Sequence, residues 1–240
     1  MATIYNTSII RDGLVLYLDA ANVKSYPGSG NTWYDLTNTV NGTVVGTVAP
    51  IVTDITKCFD FTANLGLNGS TAISGFSWGP HPVPTTGSFT FNFWVKNVPA
   101  TAGQGVLFSN TADANGFRFA IGANGVYYLI GPTYTEGLLG FSSFTNTQWN
   151  NVCVVFDRSG TYNSNVAQLR GYLNGNLYGS VTLPASQTAW SSNTVAYMAK
   201  GLGTFATYSG KLSKFEIYSR ALSAAEITQN FNTLRGRHGL

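Results

Sequence analysis

Apolar and polar residues alternate along several short stretches of this chain. In residues 88–96, large apolar side chains stand at every second position and mostly polar side chains stand between them. Successive side chains of a strand point to opposite faces, so this alternation predicts a strand with one buried face. Phe215 and Ile217 likewise alternate with Lys214, Glu216 and Ser219. Residues 14–19 form a nearly continuous apolar run, typical of a strand covered on both faces. Trp94 interrupts the polar face of its strand and is expected to pack beneath a neighbouring loop.

Turn signals separate the predicted strands. Two pairs of apolar stretches are joined by Asn-Gly, at Asn124–Gly125 and at Asn174–Gly175. This dipeptide accepts the positive φ angles of a tight hairpin turn. Residues 66–87 are rich in Gly, Ser and Pro and predict a long loop. Short strands with such turns between them predict an antiparallel sandwich of two sheets.

One helix is predicted, near the C-terminal end, from Ala224 to about Leu234. Ser223 and Glu226 have the spacing of a capping box, in which each side chain accepts a hydrogen bond from the other residue's backbone. Apolar residues at i, i+4 and i+7 from Ile227 form one stripe along the helix. The helix is therefore expected to dock on the sandwich through this stripe.

The two ends of the chain carry a family resemblance. Residues 210–240 resemble the closing segment of laminin G-like domains in the concanavalin A-like lectin/glucanase superfamily. Residues 13–36, which include the run T-W-Y-D-L, resemble the opening of this family in the version common on tailed-phage virion proteins. The segments between them that resemble the family's middle strands are 57–61, 88–96, 149–157 and 169–180.

The resemblance implies an all-β fold, a two-sheet antiparallel jelly-roll sandwich of the concanavalin A-like/laminin G-like type with one short C-terminal helix. Both end motifs belong to one family pattern, so residues 1–240 are expected to form a single domain. Residues 1–12 are then an N-terminal segment, and residues 223–240 are the capping helix and tail.

The composition and charge of the chain limit the classes of partner that it is expected to bind. Charged residues make up only 10% of the chain, against roughly 25% in an average soluble domain. The net charge is +3, and the only basic group is the tail around Arg235–Arg237, interpreted as a solvated or partner-docking end. These features argue against nucleic acid as a partner, and no apolar run is long enough for membrane insertion. The N-terminal residues show no signal peptide.

Cys58 and Cys153 lie in predicted strands. They are expected to be either buried free thiols or a disulfide.

The sequence predicts no enzyme activity. Residues 75–79 match the nucleophile motif G-x-S-x-G around Ser77, but Pro80 follows at once and prevents the helix that this motif requires. A glycosidase needs two neighbouring carboxylates, and Glu216 is predicted to stand alone on its strand while Glu226 serves the helix cap.

Two kinds of binding site are candidates. Many members of the resembled family hold Ca²⁺ at the rim of the sandwich, and the oxygen-bearing side chains suited to it here are Asp54, Asp60, Asp113 and Asn115. Alternatively, these side chains stabilise turns or form hydrogen bonds at strand edges without binding a metal ion. Trp78 and Trp190 are placed in polar loops, where an indole can stack on a sugar. Their alternative role is to cover the edge of the sandwich.

The resemblance implies a non-enzymatic virion structural protein, as a capsid decoration, tail or fibre component. It would be assembled in the host cytoplasm, contact other virion proteins and display its sandwich on the virion surface, with host-surface glycans as candidate ligands. The alternative is a carbohydrate-binding or adhesion module of a cell. The absence of a visible export signal favours the virion protein.

Overall fold

A computed structural model shows two antiparallel sheets and one C-terminal helix, so the predicted fold class is confirmed. The sheets face each other across an aromatic-rich core. The structure describes residues 8–45, 51–53, 56–61, 75–79, 81–96, 105–110, 116–122, 125–131, 135–140, 147–160, 167–183, 195–199 and 208–240.

Sixteen strands and one α-helix lie in the described part of the chain. The strands are β1 Leu14–Asp19, β2 Thr32–Trp33, β3 Gly42–Val45, β4 Ile51–Thr53, β5 Cys58–Asp60, β6 Gly75–Trp78, β7 Phe89–Lys96, β8 Gly105–Ser109, β9 Gly116–Gly122, β10 Gly125–Gly131, β11 Thr135–Gly140, β12 Asn150–Asp157, β13 Gln168–Leu173, β14 Asn176–Thr182, β15 Ala196–Met198 and β16 Lys211–Tyr218. Helix α1 spans Ala224–Leu234 and continues into a 3-10 turn at Arg235–His238.

The strands are divided between two sheets. Sheet A has the order β14-β13-β12-β7-β16-β5-β4, with β1 also paired to β16, and sheet B has the order β11-β10-β9-β8-β15-β6-β3-β2. Phe91 on the inner face of sheet A meets the rings of Phe108 and Phe119 from sheet B, with ring centroids 5.4 and 4.9 Å apart. Burial of such rings between the sheets supplies the main stabilisation of the sandwich.

Most predicted elements are confirmed, and the corrections concern short strands. The prediction of a loop over residues 66–87 is wrong for residues 75–78, which form β6. Two apolar residues between glycines are too short a pattern to identify a strand, and pairing with β3 and β15 decides the outcome. The pattern also fails to predict β2, β4, β8 and β11. The hairpin at Asn174–Gly175 is confirmed, with φ angles of 51° and 81°.

Helix α1 begins with the predicted capping box. The Ser223 hydroxyl accepts a hydrogen bond from the Glu226 backbone N–H at 3.3 Å, and the Ser223 N–H donates to Glu226 Oε2 at 2.8 Å. The Arg220 guanidinium donates to the same carboxylate at 2.6 Å and, as the largest cause, lowers the pKa of Glu226 to about 2. Ile227 is buried against the outer face of sheet A, so the helix is docked as predicted.

The C-terminal tail is docked on its own sandwich through Arg237 and His238, whereas the sequence suggested a solvated or partner-docking end. His238 lies flat on Trp94, with ring centroids 3.8 Å apart and an interplanar angle of 7°, and Trp149 meets it edge-on at 5.1 Å. Arg237 donates to Asp19 on β1 at 2.8 Å. Trp94 is therefore covered by the helix and tail of its own chain, and the prediction of a loop above it is wrong.

A polar layer is buried beneath this helix and tail. Lys214 Nζ lies 2.7 Å from Glu216 Oε1, and both side chains are fully buried. Asn92 on β7 donates to the other Glu216 oxygen at 2.6 Å, and Asn151 on β12 donates to Asn92 at 2.8 Å. The prediction that Glu216 stands alone is wrong, because strand β16 carries its partner two residues earlier on the same face.

The two cysteines are free and buried, so the disulfide alternative is wrong. Cys153 packs against Ile227 and its neighbours beneath α1, whereas Cys58 packs beside Trp94 and Trp149. Burial raises the pKa of the Cys153 thiol, with the negative charge of Glu216 acting in the same direction. The thiol is therefore held protonated and unreactive.

Acidification is expected to destabilise the fold between about pH 6.5 and pH 4 through His238. Burial, with a smaller contribution from the Arg237 charge, lowers its pKa to about 4, whereas an unfolded histidine titrates near its ordinary value of about 6.5. Below that pH the unfolded chain binds the additional proton, so the free energy of unfolding falls by up to about 3 kcal/mol. Urea unfolding at a series of pH values measures this slope.

His238→Gln is expected to remove most of that slope, while His81→Gln serves as the matched control because His81 lies outside the tail contact. The pKa of Glu226 is lower in the folded chain than its ordinary value of about 4.5. Protonation of this carboxylate therefore adds to acid destabilisation only below about pH 4.5. An unchanged slope in His238→Gln would contradict the docked tail.

Candidate functional site

An open cleft of about 520 Å³ lies beside β1 and β2. Residues between positions 34 and 41 form most of its wall, and Lys24 lines it from the preceding loop. We call it the Asp35 cleft. Its volume lies in the range of small-molecule sites, and its lining comes from loops held on the sandwich.

Asp35 organises this cleft from within. Its Oδ1 atom accepts hydrogen bonds from the backbone N–H groups of Tyr17 on β1, at 2.8 Å, and of Thr37, at 3.0 Å. Its Oδ2 atom accepts from the N–H groups of Thr39 at 3.0 Å and Val40 at 3.3 Å, and the Thr37 hydroxyl donates to it at 2.5 Å. One carboxylate thus fixes the turn over residues 37–40 and joins it to strand β1.

The Asp35 carboxylate is consequently a structural group. Its side chain is buried, with only 2% of the residue exposed, and both oxygens are occupied by donors of its own chain. It offers no free lone pair directed at a cation or a ligand. A ligand in the cleft would therefore contact its other side chains.

Ser25 holds the two walls of the cleft together. Its backbone C=O accepts from the Tyr34 N–H at 2.7 Å, and its hydroxyl donates to the Tyr34 C=O, also at 2.7 Å. The same hydroxyl accepts from the Asp19 N–H at 3.1 Å. Lys24, the residue before Ser25, is thereby held on the wall beside Tyr34.

The groups that face solvent are one aromatic ring and several polar side chains. Tyr34 is 44% exposed, unlike its neighbour Trp33, which is fully buried in the core. Asn38 and Asn41 are exposed, and the Asn41 Oδ1 atom accepts from the Asp35 N–H at 2.9 Å, which fixes its orientation. An exposed aromatic face in a cleft that also carries amides is the chemistry that recognises a sugar ring and its hydroxyl groups.

The placement of Trp78 in a loop is wrong. It lies in β6 with 1% of its surface exposed, and its ring packs against Phe76 and Phe108 at centroid distances of 6.0 and 6.1 Å. A buried indole presents no face on which a sugar can stack. Trp190 lies outside the described residues.

Of the four predicted Ca²⁺ ligands, Asp60 lies in the described part of the chain. Asp60 lies at the end of β5, where Lys211 Nζ stands 3.7 Å from its carboxylate. Asp54, Asp113 and Asn115 lie outside the described residues. Among the residues that the structure covers, no group of three or more His, Cys, Asp and Glu side chains is positioned to hold a metal ion.

Ser77 does not have the setting of a catalytic nucleophile. It lies within strand β6, and its hydroxyl is 3.4 Å from the Thr43 C=O of the neighbouring strand. The nucleophile motif requires a sharp turn from a strand into a helix, and Ser77 instead lies inside a paired strand.

The residues of the Asp35 cleft were not among the candidates from sequence. The available signal was the polar run T-N-T-V-N-G after the T-W-Y-D-L motif, together with an aromatic pair in which alternate side chains point to opposite faces. Trp33 takes the core position of that pair, so Tyr34 takes the outer one.

Comparison with known proteins establishes the family. Residues 69–228 match the laminin G-like model of the concanavalin A-like lectin/glucanases superfamily. The chain belongs to this superfamily. The match covers more than half of the chain but does not include the Asp35 cleft. No curated protein sequence is significantly similar to the chain.

Solved structures with the same fold include bacterial binding domains. The binding domain of Paraclostridial Mosquitocidal Protein 1 is 16% identical with a TM-score of 0.66, over 92% of this chain and 52% of that one. A structure on cell entry of botulinum neurotoxin type C, described as dependent on interaction with two ganglioside molecules, is 16% identical with a TM-score of 0.67, over 92% and 51%. The present chain thus spans about half the length of those two chains.

A third structure is similar over nearly its whole length. Domain 4 of AbnA, a GH43 extracellular arabinanase from Geobacillus stearothermophilus, in complex with arabinotriose, is 19% identical with a TM-score of 0.64, over 90% of this chain and 97% of that one. At these identities the likeness shows the fold. The chain is a lectin-like sandwich domain that resembles carbohydrate- and receptor-binding domains. Within its described residues, no helix is long and apolar enough to cross a membrane.

Proposed function

We propose that this chain is a non-enzymatic carbohydrate-binding domain and that its sugar site is the Asp35 cleft. The observation that carries the proposal is the exposed Tyr34 ring, which lines the same cleft as the Asn41 amide, and the Asp35 backbone N–H orients that amide. The similar structures support it, since one concerns ganglioside interaction and another holds arabinotriose.

The chemistry of the cleft supports binding without turnover. Glycoside hydrolysis needs two carboxyl groups about 5 to 9.5 Å apart. Among the described residues that line the cleft, Asp35 alone carries a carboxyl group, and its oxygens are occupied by the surrounding turn. A sugar in this cleft would therefore be held and released unchanged.

We further propose that the domain is displayed on the surface of a phage particle, where it contacts other virion proteins and reaches glycans of the host. The resemblance of residues 13–36 to the phage version of the family supports this location. Mass spectrometry of gradient-purified particles tests it. Recovery of the chain only with the cell envelope would instead favour the cellular adhesion module.

Tyr34→Ala is expected to weaken binding of any saccharide identified on a glycan array by about tenfold or more, because the stacking face is lost. Tyr34→Phe keeps the ring and should retain most of the affinity. Leu177→Ala, at an exposed position on strand β14, is the matched control and should bind like the unaltered chain. Titration calorimetry measures all three variants.

Two different results would contradict the proposed site and the proposed function. A saccharide bound equally by Tyr34→Ala would place the sugar site outside the Asp35 cleft. An array without any saccharide bound by the unaltered chain would contradict the carbohydrate-binding function itself.

A further inference from the structure

The charge distribution of the Asp35 cleft points to a class of ligand. We infer that the cleft selects saccharides with an anionic substituent, a carboxylate or a sulfate, and that Lys24 recognises this substituent. The inference rests on the proposed carbohydrate-binding function and specifies it.

Among the described residues that line the cleft, the two charged side chains differ in what they offer a ligand. The Asp35 carboxylate is buried, and both of its oxygens accept hydrogen bonds from backbone N–H groups of the chain. It therefore offers a ligand no free oxygen. Lys24 is exposed and makes no ion pair within the described part of the chain. The charge that an incoming saccharide meets is therefore the Lys24 ammonium group.

The backbone around Lys24 fixes the point from which its side chain extends. The paired hydrogen bonds between Ser25 and Tyr34, both 2.7 Å long, fix the start of the Lys24 side chain beside the Tyr34 wall. The Lys24 N–H also donates to Asn22 Oδ1 at 3.0 Å, which closes the local turn. An ammonium group next to an aromatic face can bind the anionic substituent of a sugar whose ring stacks on Tyr34.

The remaining polar side chains of the cleft suit the rest of the sugar. Asn38, Thr39 and Asn41 line it with neutral amide and hydroxyl groups, which can donate to or accept from sugar hydroxyl groups. Of the described lining residues, Lys24 is thus the one that distinguishes an anionic saccharide from its neutral parent.

The test compares sialylated and sulfated oligosaccharides with their neutral parents by titration calorimetry on the full chain. We expect the anionic forms to bind on the order of tenfold more tightly, since their charged substituent gains a charge-assisted hydrogen bond from Lys24. Lys24→Gln should abolish this preference by weakening the binding of the anionic forms. Added salt should reduce the preference.

Lys57→Gln is the matched control, because it removes an equal charge from an exposed lysine outside the Asp35 cleft. The sialylated and sulfated arms show which anion is accepted. Equal affinity for neutral and anionic forms would overturn the inference and leave the proposed function intact. A preference that survives Lys24→Gln would also overturn it, whereas failure of every saccharide to bind would overturn the proposed function as well.

Discussion

Glu216→Gln is expected to lower the free energy of unfolding by about 3 to 5 kcal/mol, because it leaves the buried Lys214 without its ionic partner. The two side chains are 2.7 Å apart and completely buried beneath the C-terminal helix and tail. Desolvation lowers the pKa of Lys214, and Glu216 opposes that shift. Urea unfolding at pH 7 measures the loss.

Two comparisons identify the ion pair as the cause. Adding Lys214→Met to Glu216→Gln removes both charges and should recover part of the lost stability. In Glu216→Gln alone, the deficit should shrink as the pH rises from 7 towards 10. Lys214 then gives up its proton more readily in the folded chain than in the unfolded one, so stability rises with pH. A pH-independent deficit would assign the loss to altered packing.

Asp35→Ala is expected to cost at least about 3 kcal/mol of folding free energy and to abolish saccharide binding. The substitution removes both acceptor oxygens from the N–H groups of Tyr17, Thr37, Thr39 and Val40. The turn over residues 37–40 then loses its attachment to β1, and the walls of the cleft lose their positions. Urea unfolding and titration calorimetry measure the two effects.

Asp35→Asn is the matched variant, because it preserves the shape of the side chain and one acceptor oxygen. It should lose roughly half as much stability as Asp35→Ala, since its NH₂ group faces backbone donors where an oxygen accepted them. Saccharide binding that persists in a folded Asp35→Ala variant would show that this carboxylate does not organise the site.

The sequence predicts the elements whose determinants are local. The capping box of α1 joins residues three positions apart, and the alternation along β7 identifies its apolar inner face. The prediction of one buried face is wrong, because the outer face of β7 is buried as well. Strand β6 was missed because its four residues carry too little periodicity, and pairing with two longer-range neighbours makes it a strand. The same limit explains Trp78, whose loop-like flanks concealed a core position.

The candidate site depended more strongly on tertiary contacts. The sequence contains Asp35 in the family-like opening motif, but the hydrogen bond from the Tyr17 N–H to its carboxylate, between residues 18 positions apart, is visible only in the folded chain. Lys24 reaches the cleft because Ser25 pairs with Tyr34 nine residues later. The residue pattern of a single strand or turn does not predict such contacts between separate segments of the chain.

By itself, the sequence determined the fold class, the helix with its cap and the family to which the chain belongs. These properties follow from periodicity, turn chemistry and motifs that each extend over a few neighbouring residues. The tertiary structure alone decided that Glu216 faces Lys214 under the tail, that His238 lies on Trp94, and that Asp35 is buried as a structural acceptor. Burial and pairing of polar groups depend on which distant elements pack together, and only the folded chain specifies that arrangement.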